Sequence, residues 1–114
     1  YIGLEMGSVW SRLGAEVHVI EFLDHITPGM DKEISNEFMK ILKKQGIHFH
    51  MRHKVEEIKK NQSTATVSTT NNEGKKKDFD CDVVLISVGR KANTSSLNLK
   101  NTALDIPYRM FFEG

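Results

Sequence analysis

Apolar residues recur with helical spacing in two stretches of the first half of the chain. Leu4 to Leu13 forms the first stretch, and Gly14 stands where a left-handed residue commonly ends a helix. The second follows Asp31, a suitable N-cap, and runs to about Gln45 before Gly46. Its apolar face consists of Ile34, Phe38, Ile41 and Leu42. Between the helices, Ala15 to Phe22 is typical of a buried parallel strand.

The second half of the chain changes to the shorter period of strands. The predicted strands are Ile47–Met51, Val55–Lys60, Ala65–Thr70 and Lys75–Asp80. Asn71 to Gly74 separates the last two with residues that favour a hairpin turn. A fully apolar stretch, Val83 to Val88, predicts a further buried strand that stops at Gly89. We therefore expect an α/β fold that consists of a parallel sheet with helices plus a small antiparallel β-meander.

Composition is that of an ordinary globular protein and argues against several kinds of partner. Of the 114 residues, 39% are hydrophobic and 27% are charged, and the formal net charge is +1. A charge so close to zero gives no general attraction to nucleic acid or to an anionic membrane. No apolar run approaches the length of a membrane-spanning helix. We expect neither nucleic acid nor membrane as a partner.

Gly3 stands at the opening of the first predicted helix, and Gly7 follows one turn later. Dinucleotide-binding turns use glycines for a tight bend, for close approach to the pyrophosphate and for close packing of helix on strand. The free N–H groups and the dipole of a helix start also favour phosphate. Gly3 would be the third such glycine, with the first two before Tyr1. By itself the half-motif is weak, because a glycine near a helix start more often serves packing or capping.

Two residues at the ends of predicted strands strengthen this interpretation. Glu21 follows the first strand, where a carboxylate accepts hydrogen bonds from the adenosine ribose and repels a 2′-phosphate, which favours NAD over NADP. Gly89 ends the last apolar strand, where a glycine lets the backbone approach a ligand. Taken alone, Glu21 is also explained as an ordinary polar residue at a strand end, and Gly89 as a turn glycine. Together they predict a Rossmann-like dinucleotide-binding domain, incomplete because its first strand, before Tyr1, is missing.

Three separated segments resemble the dihydrolipoamide dehydrogenase family, which belongs to the class I pyridine nucleotide-disulfide oxidoreductases. They are Tyr1–Phe22, Ile41–Gly46 and Cys81–Arg90. Their order and spacing are similar to the NAD-binding stretch of that family, and the resemblance runs with gaps to about Leu99. We therefore interpret residues 1–99 as a fragment of an NAD-binding domain and residues 100–114 as an irregular or divergent tail.

The resemblance implies a set of cofactor-binding residues. The turn that lines the pyrophosphate and nicotinamide matches the first five residues, of which Tyr1 falls beside the flavin and Glu5 beside the nicotinamide. Glu21 matches the carboxylate that binds the ribose, and Val55 matches a contact on the adenine side. The predicted residues are Tyr1, Ile2, Gly3, Leu4, Glu5, Glu21, Val55 and Gly89.

The resemblance also implies an activity for the whole protein. It would be a homodimeric flavoprotein that oxidises dihydrolipoamide through a redox-active disulfide and FAD and reduces NAD⁺ to NADH. In eukaryotes it would serve the 2-oxo acid dehydrogenase complexes in the mitochondrial matrix, and otherwise it would be cytoplasmic. The disulfide motif, the FAD-binding glycines and the catalytic histidine–glutamate pair of the family are absent from this sequence. We therefore expect no catalytic residue here, and we expect the fragment to be inactive alone. Because the missing first strand would leave unpaired backbone groups on both neighbouring strands, we also expect the fragment to be poorly stable or aggregation-prone.

Two other functions stay open from the sequence. The chain could be a catalytically inactive dinucleotide-binding or interaction module, or part of another NAD(P)H-dependent flavin disulfide reductase. A metal site at His48, His50 and His53 is not predicted, because no carboxylate or cysteine lies at ligand spacing along the chain. Cys81, the single cysteine, is interpreted as a packing residue because it has no partner for redox exchange.

Overall fold

A computed structural model describes residues 1–98, so the predicted tail at 100–114 lies outside the described residues. The described part contains two α-helices, five strands and a short 3-10 helix. The helices are α1 (Ile2–Arg12) and α2 (Lys32–Lys44), and the 3-10 helix is Ser95–Leu97. The strands are β1 (His18–Ile20), β2 (His48–His50), β3 (His53–Lys60), β4 (Ala65–Asn71) and β5 (Lys76–Cys81). None of the helices in this part is long and apolar enough to cross a membrane.

Both helices end on a left-handed glycine, as predicted. Gly14 follows α1 with φ of 99°, and Gly46 follows α2 with φ of 96°. In each case the next residue donates its N–H to a carbonyl of the last helical turn, at 3.0 Å for Ala15 and 3.2 Å for Ile47. These bonds satisfy carbonyls that a helix end otherwise leaves free, and they lead the chain directly toward a strand.

Helix α2 is capped as predicted and buries only part of its apolar face. The Asp31 carboxylate accepts the Glu33 N–H at 2.9 Å. Of the predicted apolar face, only Leu42 is buried, whereas Ile34, Phe38 and Ile41 are 56%, 36% and 52% exposed. The inward stripe is Ser35, Met39 and Leu42. The predicted apolar face therefore packs on the core only through Leu42, because the small core of the described residues covers only one stripe of the helix.

Strands β1 and β2 pair in parallel and form the sheet of the predicted α/β layer. Val19 lies opposite Phe49, and both pack against the buried cluster formed by Leu4, Ile26, Leu42 and Ile47. The opposite face carries the histidines, with His18 opposite His48. Each strand has three residues, fewer than predicted, because the two segments form ladder hydrogen bonds only where they run side by side.

Strands β3, β4 and β5 form an antiparallel meander, as predicted. The turn between β4 and β5 uses the expected residues: the Asn71 side chain accepts the N–H groups of Glu73 and Lys75 at 2.9 and 2.8 Å, and Gly74 has φ of 81°. The pairing of β3 with β4 shifts register between Val55 and Glu57, a β-bulge that bends the strand.

The apolar stretch Val83–Val88 is not a strand, so that prediction is wrong. The stretch is irregular, and Val83, Ile86 and Val88 are 70%, 67% and 95% exposed. A strand is stabilised by hydrogen bonds to a neighbouring strand, and within residues 1–98 no strand lies beside this stretch. Apolar composition alone cannot replace that neighbour.

Candidate functional site

Helix α1 runs back along β1, so that its amino end points toward the carboxyl end of the strand. Gly7, in the middle of α1, lies against Val17 just before β1, and a Cβ atom on Gly7 would be 3.3 Å from Val17 Cγ1. One turn nearer the amino end, Leu4 joins the buried cluster that includes Ile26, from the loop after β1. The first turn of α1 and the end of β1 therefore face the same edge, where sheets of this class bind their ligands.

The first turn of α1 offers main-chain donors. The first intrahelical bond is from the Glu5 N–H to the Tyr1 carbonyl, at 2.9 Å, and no side chain caps the helix start. The N–H groups of Ile2, Gly3 and Leu4 precede this bond and, together with the helix dipole, suit an anion. The Leu4 side chain is buried in the core, so only its main chain is available to a ligand.

A side chain on Gly3 would require the Ser87 hydroxyl to move. A Cβ atom built on it would lie 2.5 Å from the hydroxyl oxygen of Ser87. The third glycine of the motif was predicted to pack closely on a strand, whereas the neighbour of Gly3 belongs to the irregular stretch Val83–Val88. Gly89 follows Ser87 by two residues, so the chain places it near the same end of α1.

Glu21 lies directly after β1 and is hydrogen-bonded to the end of β2, to the start of β3 and to the loop that follows β1. Its N–H donates to the His50 carbonyl at 3.1 Å, and its own carbonyl accepts the His53 N–H at 3.0 Å. Its side chain accepts the Leu23 N–H through Oε1 at 3.0 Å. This short-range bond fixes the carboxylate at the strand end, and Oε2 accepts no hydrogen bond from residues 1–98.

The predicted site residues thus come together as two groups. Tyr1 to Glu5 form one group, and Gly89 follows two residues after Ser87, the neighbour of Gly3. Glu21 forms the other with Val55, because β3 begins with the hydrogen bond from His53 to Glu21. Val55 is 42% exposed and lies beside the bulge in β3, where a ligand can reach it.

An apolar groove beside the first group was not predicted. It has a volume of about 640 Å³ and lies between Tyr1 and the exposed stripe of α2. Its apolar lining comes from Tyr1, Met30, Ile34, Phe38 and Ile41. The available signal was the predicted apolar face of α2.

Sequence reasoning also missed a cluster of histidines with a carboxylate. The rings of His18 and His48 stack with centroids 4.7 Å apart. His18 Nδ1 is 2.9 Å from His50 Nε2, and His18 Nε2 is 2.9 Å from Glu16 Oε1. The carboxylate is distant from His48 along the sequence, so spacing could not reveal it. Parallel pairing of two strands that both begin with histidine was the signal that could have done so.

Burial and charge set the protonation of this cluster. Partial burial, followed by the positive charge of Lys77, lowers the pKa of His50 from 6.5 to about 4, so this ring is neutral at physiological pH. The hydrogen bond with His18 lowers the pKa of Glu16, which is therefore ionised. Cys81 is half-buried, and burial raises the pKa of its thiol, consistent with a packing residue.

Comparison of the sequence with known proteins gives consistent matches over nearly the whole chain. The family profile described as pyridine nucleotide-disulphide oxidoreductase matches residues 1–110. The mitochondrial dihydrolipoyl dehydrogenase of Caenorhabditis elegans is 46% identical over 110 residues, which are 95% of this chain and 22% of that protein. The dihydrolipoamide dehydrogenase of Chaetomium thermophilum gives the same identity and the same shares. The chain thus spans about a fifth of the length of these relatives.

Solved structures show the same architecture. The HOCl-induced flavoprotein disulfide reductase RclA from Escherichia coli, solved as a Cu(II) complex, matches with a TM-score of 0.77 and 26% identity. The match covers 98% of this chain and 25% of that one. It confirms the predicted fold class, in which a parallel sheet with helices accompanies an antiparallel meander.

Proposed function

Because this chain belongs to the pyridine nucleotide-disulphide oxidoreductase family, we propose that it is the NAD-binding portion of a dihydrolipoamide dehydrogenase. Its most similar relatives named above are oxidoreductases of that kind, and the chain is homologous to one part of them. The observation that carries the proposal is that the first turn of α1 and the end of β1 face the same edge. The family uses a pyridine nucleotide with FAD, and FAD would be held by parts of the protein outside these residues.

The first turn of α1 would bind the pyrophosphate. Its N–H groups point along the helix axis toward the edge, and the helix dipole adds a partial positive charge there. Gly3 keeps this turn free of side-chain atoms, and its contact with Ser87 holds the turn close to the stretch that leads to Gly89. The residues present therefore fit a diphosphate.

Glu21 would bind the adenosine ribose and select NAD. The hydrogen bond from Leu23 holds Oε1, which leaves Oε2 to accept a hydrogen bond from a ribose hydroxyl. The 2′-phosphate of NADP would bring negative charge against this carboxylate. Val55 would contact the adenine side of the nucleotide with its exposed apolar side chain.

Glu5 and Tyr1 would act at the nicotinamide end. The exposed Glu5 carboxylate would hold the edge of the nicotinamide ring, and Tyr1, 49% exposed, would cover the flavin when nicotinamide is absent. Hydride exchange between the two cofactors is the chemistry that FAD and NAD supply when bound. These residues would orient the ring.

The activity of the whole protein is part of the same proposal. It would oxidise dihydrolipoamide through a redox-active disulfide and FAD, as a homodimer that serves the 2-oxo acid dehydrogenase complexes. The relative from Caenorhabditis elegans is mitochondrial, which supports a location in the mitochondrial matrix. The 114 residues alone would be inactive, because they contain a single cysteine and cannot form the disulfide.

A second candidate is another flavin disulfide reductase, and the structural similarity to RclA favours it over an inactive binding module. The residues that choose the substrate would lie outside this chain. A Cys-x₄-Cys motif in the longer polypeptide would support either reductase, whereas its absence would favour a module that binds a dinucleotide or a partner without catalysis.

Replacement of Glu21 by arginine tests the proposed nucleotide preference. In the flavoprotein that contains this chain, Glu21→Arg should raise the ratio of kcat/KM for NADP⁺ to that for NAD⁺ by about tenfold or more, since a charge-assisted hydrogen bond is worth about 1.5–3 kcal/mol. Glu57→Arg makes the same charge change on β3 and serves as the control. An unchanged preference in the Glu21 variant would contradict the assignment of the ribose.

A further inference from the structure

We propose that Glu16, His18 and His48 form a binding site for a late first-row divalent metal ion such as Zn²⁺ or Cu²⁺. The site lies at the amino ends of the parallel strands β1 and β2, where His18 and His48 are register partners. Glu21 follows the carboxyl end of β1, so the metal site is separate from the proposed nucleotide site and does not depend on it.

The geometry brings three ligand atoms within reach of one ion. One ring nitrogen from each histidine and one oxygen of Glu16 all lie within 4.8 Å of one another. Bonds of about 2.0–2.2 Å in a tetrahedral zinc site place ligand atoms roughly 3.3–3.5 Å apart. The three side chains are exposed, so their ligand atoms can close to the spacing of a zinc site without disturbing the core.

The kind of ligand selects the kind of ion. Two imidazoles and one carboxylate are the donor set of many zinc sites that keep a fourth position open. Imidazole nitrogen binds Cu²⁺ more strongly still, in line with the order of affinities along the first transition row. Mg²⁺ and Ca²⁺ prefer oxygen ligands, and this cluster has only one oxygen-bearing side chain. We therefore expect selectivity for Zn²⁺ and Cu²⁺ over Mg²⁺ and Ca²⁺.

His50 would position one of the ligands. A histidine bound to a metal through one ring nitrogen usually donates the N–H of the other to a nearby acceptor, which fixes the orientation of the ring. His18 Nδ1 lies 2.9 Å from His50 Nε2, and donation along this line would leave His18 Nε2 directed toward Glu16. The ring of Phe79 lies 4.6 Å from that of His50 and supports it from β5.

The metal would stabilise the parallel pair. The ladder between β1 and β2 contains three register pairs, and the ligands come from both sides of it. An ion bound only by the folded arrangement raises the stability of that arrangement by mass action. The backbone already fixes the register, since the opposite face of both strands packs on the core, so the ligands are brought together before the ion arrives.

Zn²⁺ alone is the probe for the first experiment, with the longest natural polypeptide that contains residues 1–114, kept oxidised so that thiols do not compete. Competition against a chromophoric chelator should show a site whose affinity falls at least about tenfold in His18→Gln and in His48→Gln. Glu16→Gln should weaken it by a smaller factor. His25→Gln is the matched control, because His25 is paired with Asp24 away from the cluster. An equal loss of affinity in His25→Gln, or none in His48→Gln, would overturn the proposal.

Two further measurements test the ligands of the ion and the dependence of the site on folding, and the second needs no variant. The electron paramagnetic resonance spectrum of bound Cu²⁺ should show coupling to two imidazole nitrogens in the parent protein and to one in His48→Gln. The parent protein should also lose at least about tenfold in Zn²⁺ affinity when unfolded in urea, because the strand pairing creates the site. Equal affinity with and without urea, or an identical spectrum in His48→Gln, would show that no folded site exists.

Discussion

At the residue scale, the choice of glycine at position 3 is not explained by its neighbours in the sequence. The residue lies in the first turn of α1, where alanine would favour the helix more than glycine does. A Cβ atom at this position would lie 2.5 Å from the Ser87 hydroxyl oxygen, so alanine here would require that hydroxyl to move. The constraint therefore comes from a residue 84 positions later in the chain, and it acts through a single side-chain atom.

The pair Gly3 and Ser87 gives a double-mutant test. Gly3→Ala should loosen the start of α1 when Ser87 is present, and Ser87→Ala should relieve this, because the remaining Cβ of residue 87 would be 3.7 Å away. We expect a coupling of about 0.5–3 kcal/mol between the two changes. Hydrogen exchange of the α1 amides measures it. Additive effects would mean that the two residues do not touch.

Residues governed by local chemistry were predictable, and those governed by distant pairing were not. Asp31 caps α2 and Gly14 and Gly46 end the helices through bonds within a few residues. Glu21 was placed correctly at a strand end for the same reason. The meeting of Glu16 with His48 depends on the pairing of β1 with β2, which no short-range pattern contains.

At the scale of elements, a buried pair of hydroxyls fixes α2 to the loop after β1. The Thr27 hydroxyl donates to the Ser35 Oγ at 2.8 Å, and the two residues are 0% and 1% exposed. This loop starts with Glu21, so the bond also restrains the strand end that would hold the ribose. A buried polar group without its partner costs more than the bond itself contributes.

Replacement of Thr27 by the isosteric valine tests this connection. Thr27→Val leaves the Ser35 hydroxyl buried without a donor, which should cost about 1–3 kcal/mol and speed hydrogen exchange in α2 by about fivefold or more. Adding Ser35→Ala should recover most of the loss, since both polar groups are then gone. Ser63→Ala, at an exposed position, is the control. A double variant no better than Thr27→Val would argue against the hydroxyl pair as the cause.

Strands were predicted well where the partner strand and the turn that connects them are adjacent in the sequence. The hairpin of β4 and β5 carries its own turn, with the Asn71 side chain accepting two N–H groups. The stretch Val83–Val88 has a stronger apolar signal than either strand, yet it is irregular. Its partner would have to come from elsewhere, and the described residues provide none beside it.

At the scale of the whole molecule, the core formed by residues 1–98 is small for the apolar surface that these residues carry. The main buried cluster has four residues, Leu4, Ile26, Leu42 and Ile47, and Val67 is buried separately in the meander. Two apolar surfaces stay open, the groove beside α2 and the stretch Val83–Val88. Contiguous exposed apolar surface favours association.

We therefore expect the 114-residue chain alone to be of low stability and prone to self-association. Circular dichroism should show a broad thermal transition, and light scattering should increase with protein concentration. Val88→Lys should reduce the scattering without a loss of helix signal, because Val88 is 95% exposed. Asn93→Lys adds the same charge nearby without removing an apolar group and serves as the control. A sharp cooperative transition from a monomer would contradict the expectation.

The glycines that end the two helices also limit where insertions and deletions can be tolerated in this chain. Gly14 and Gly46 each start a short link into a strand, and side chains along a strand alternate between the two faces of its sheet. One extra residue between Gly46 and His48 would direct the imidazoles into the core and Phe49 into solvent. The turn after Asn71 is different, because it connects two strands at the surface. Natural insertions and deletions should therefore gather in that hairpin and spare both helix-to-strand links.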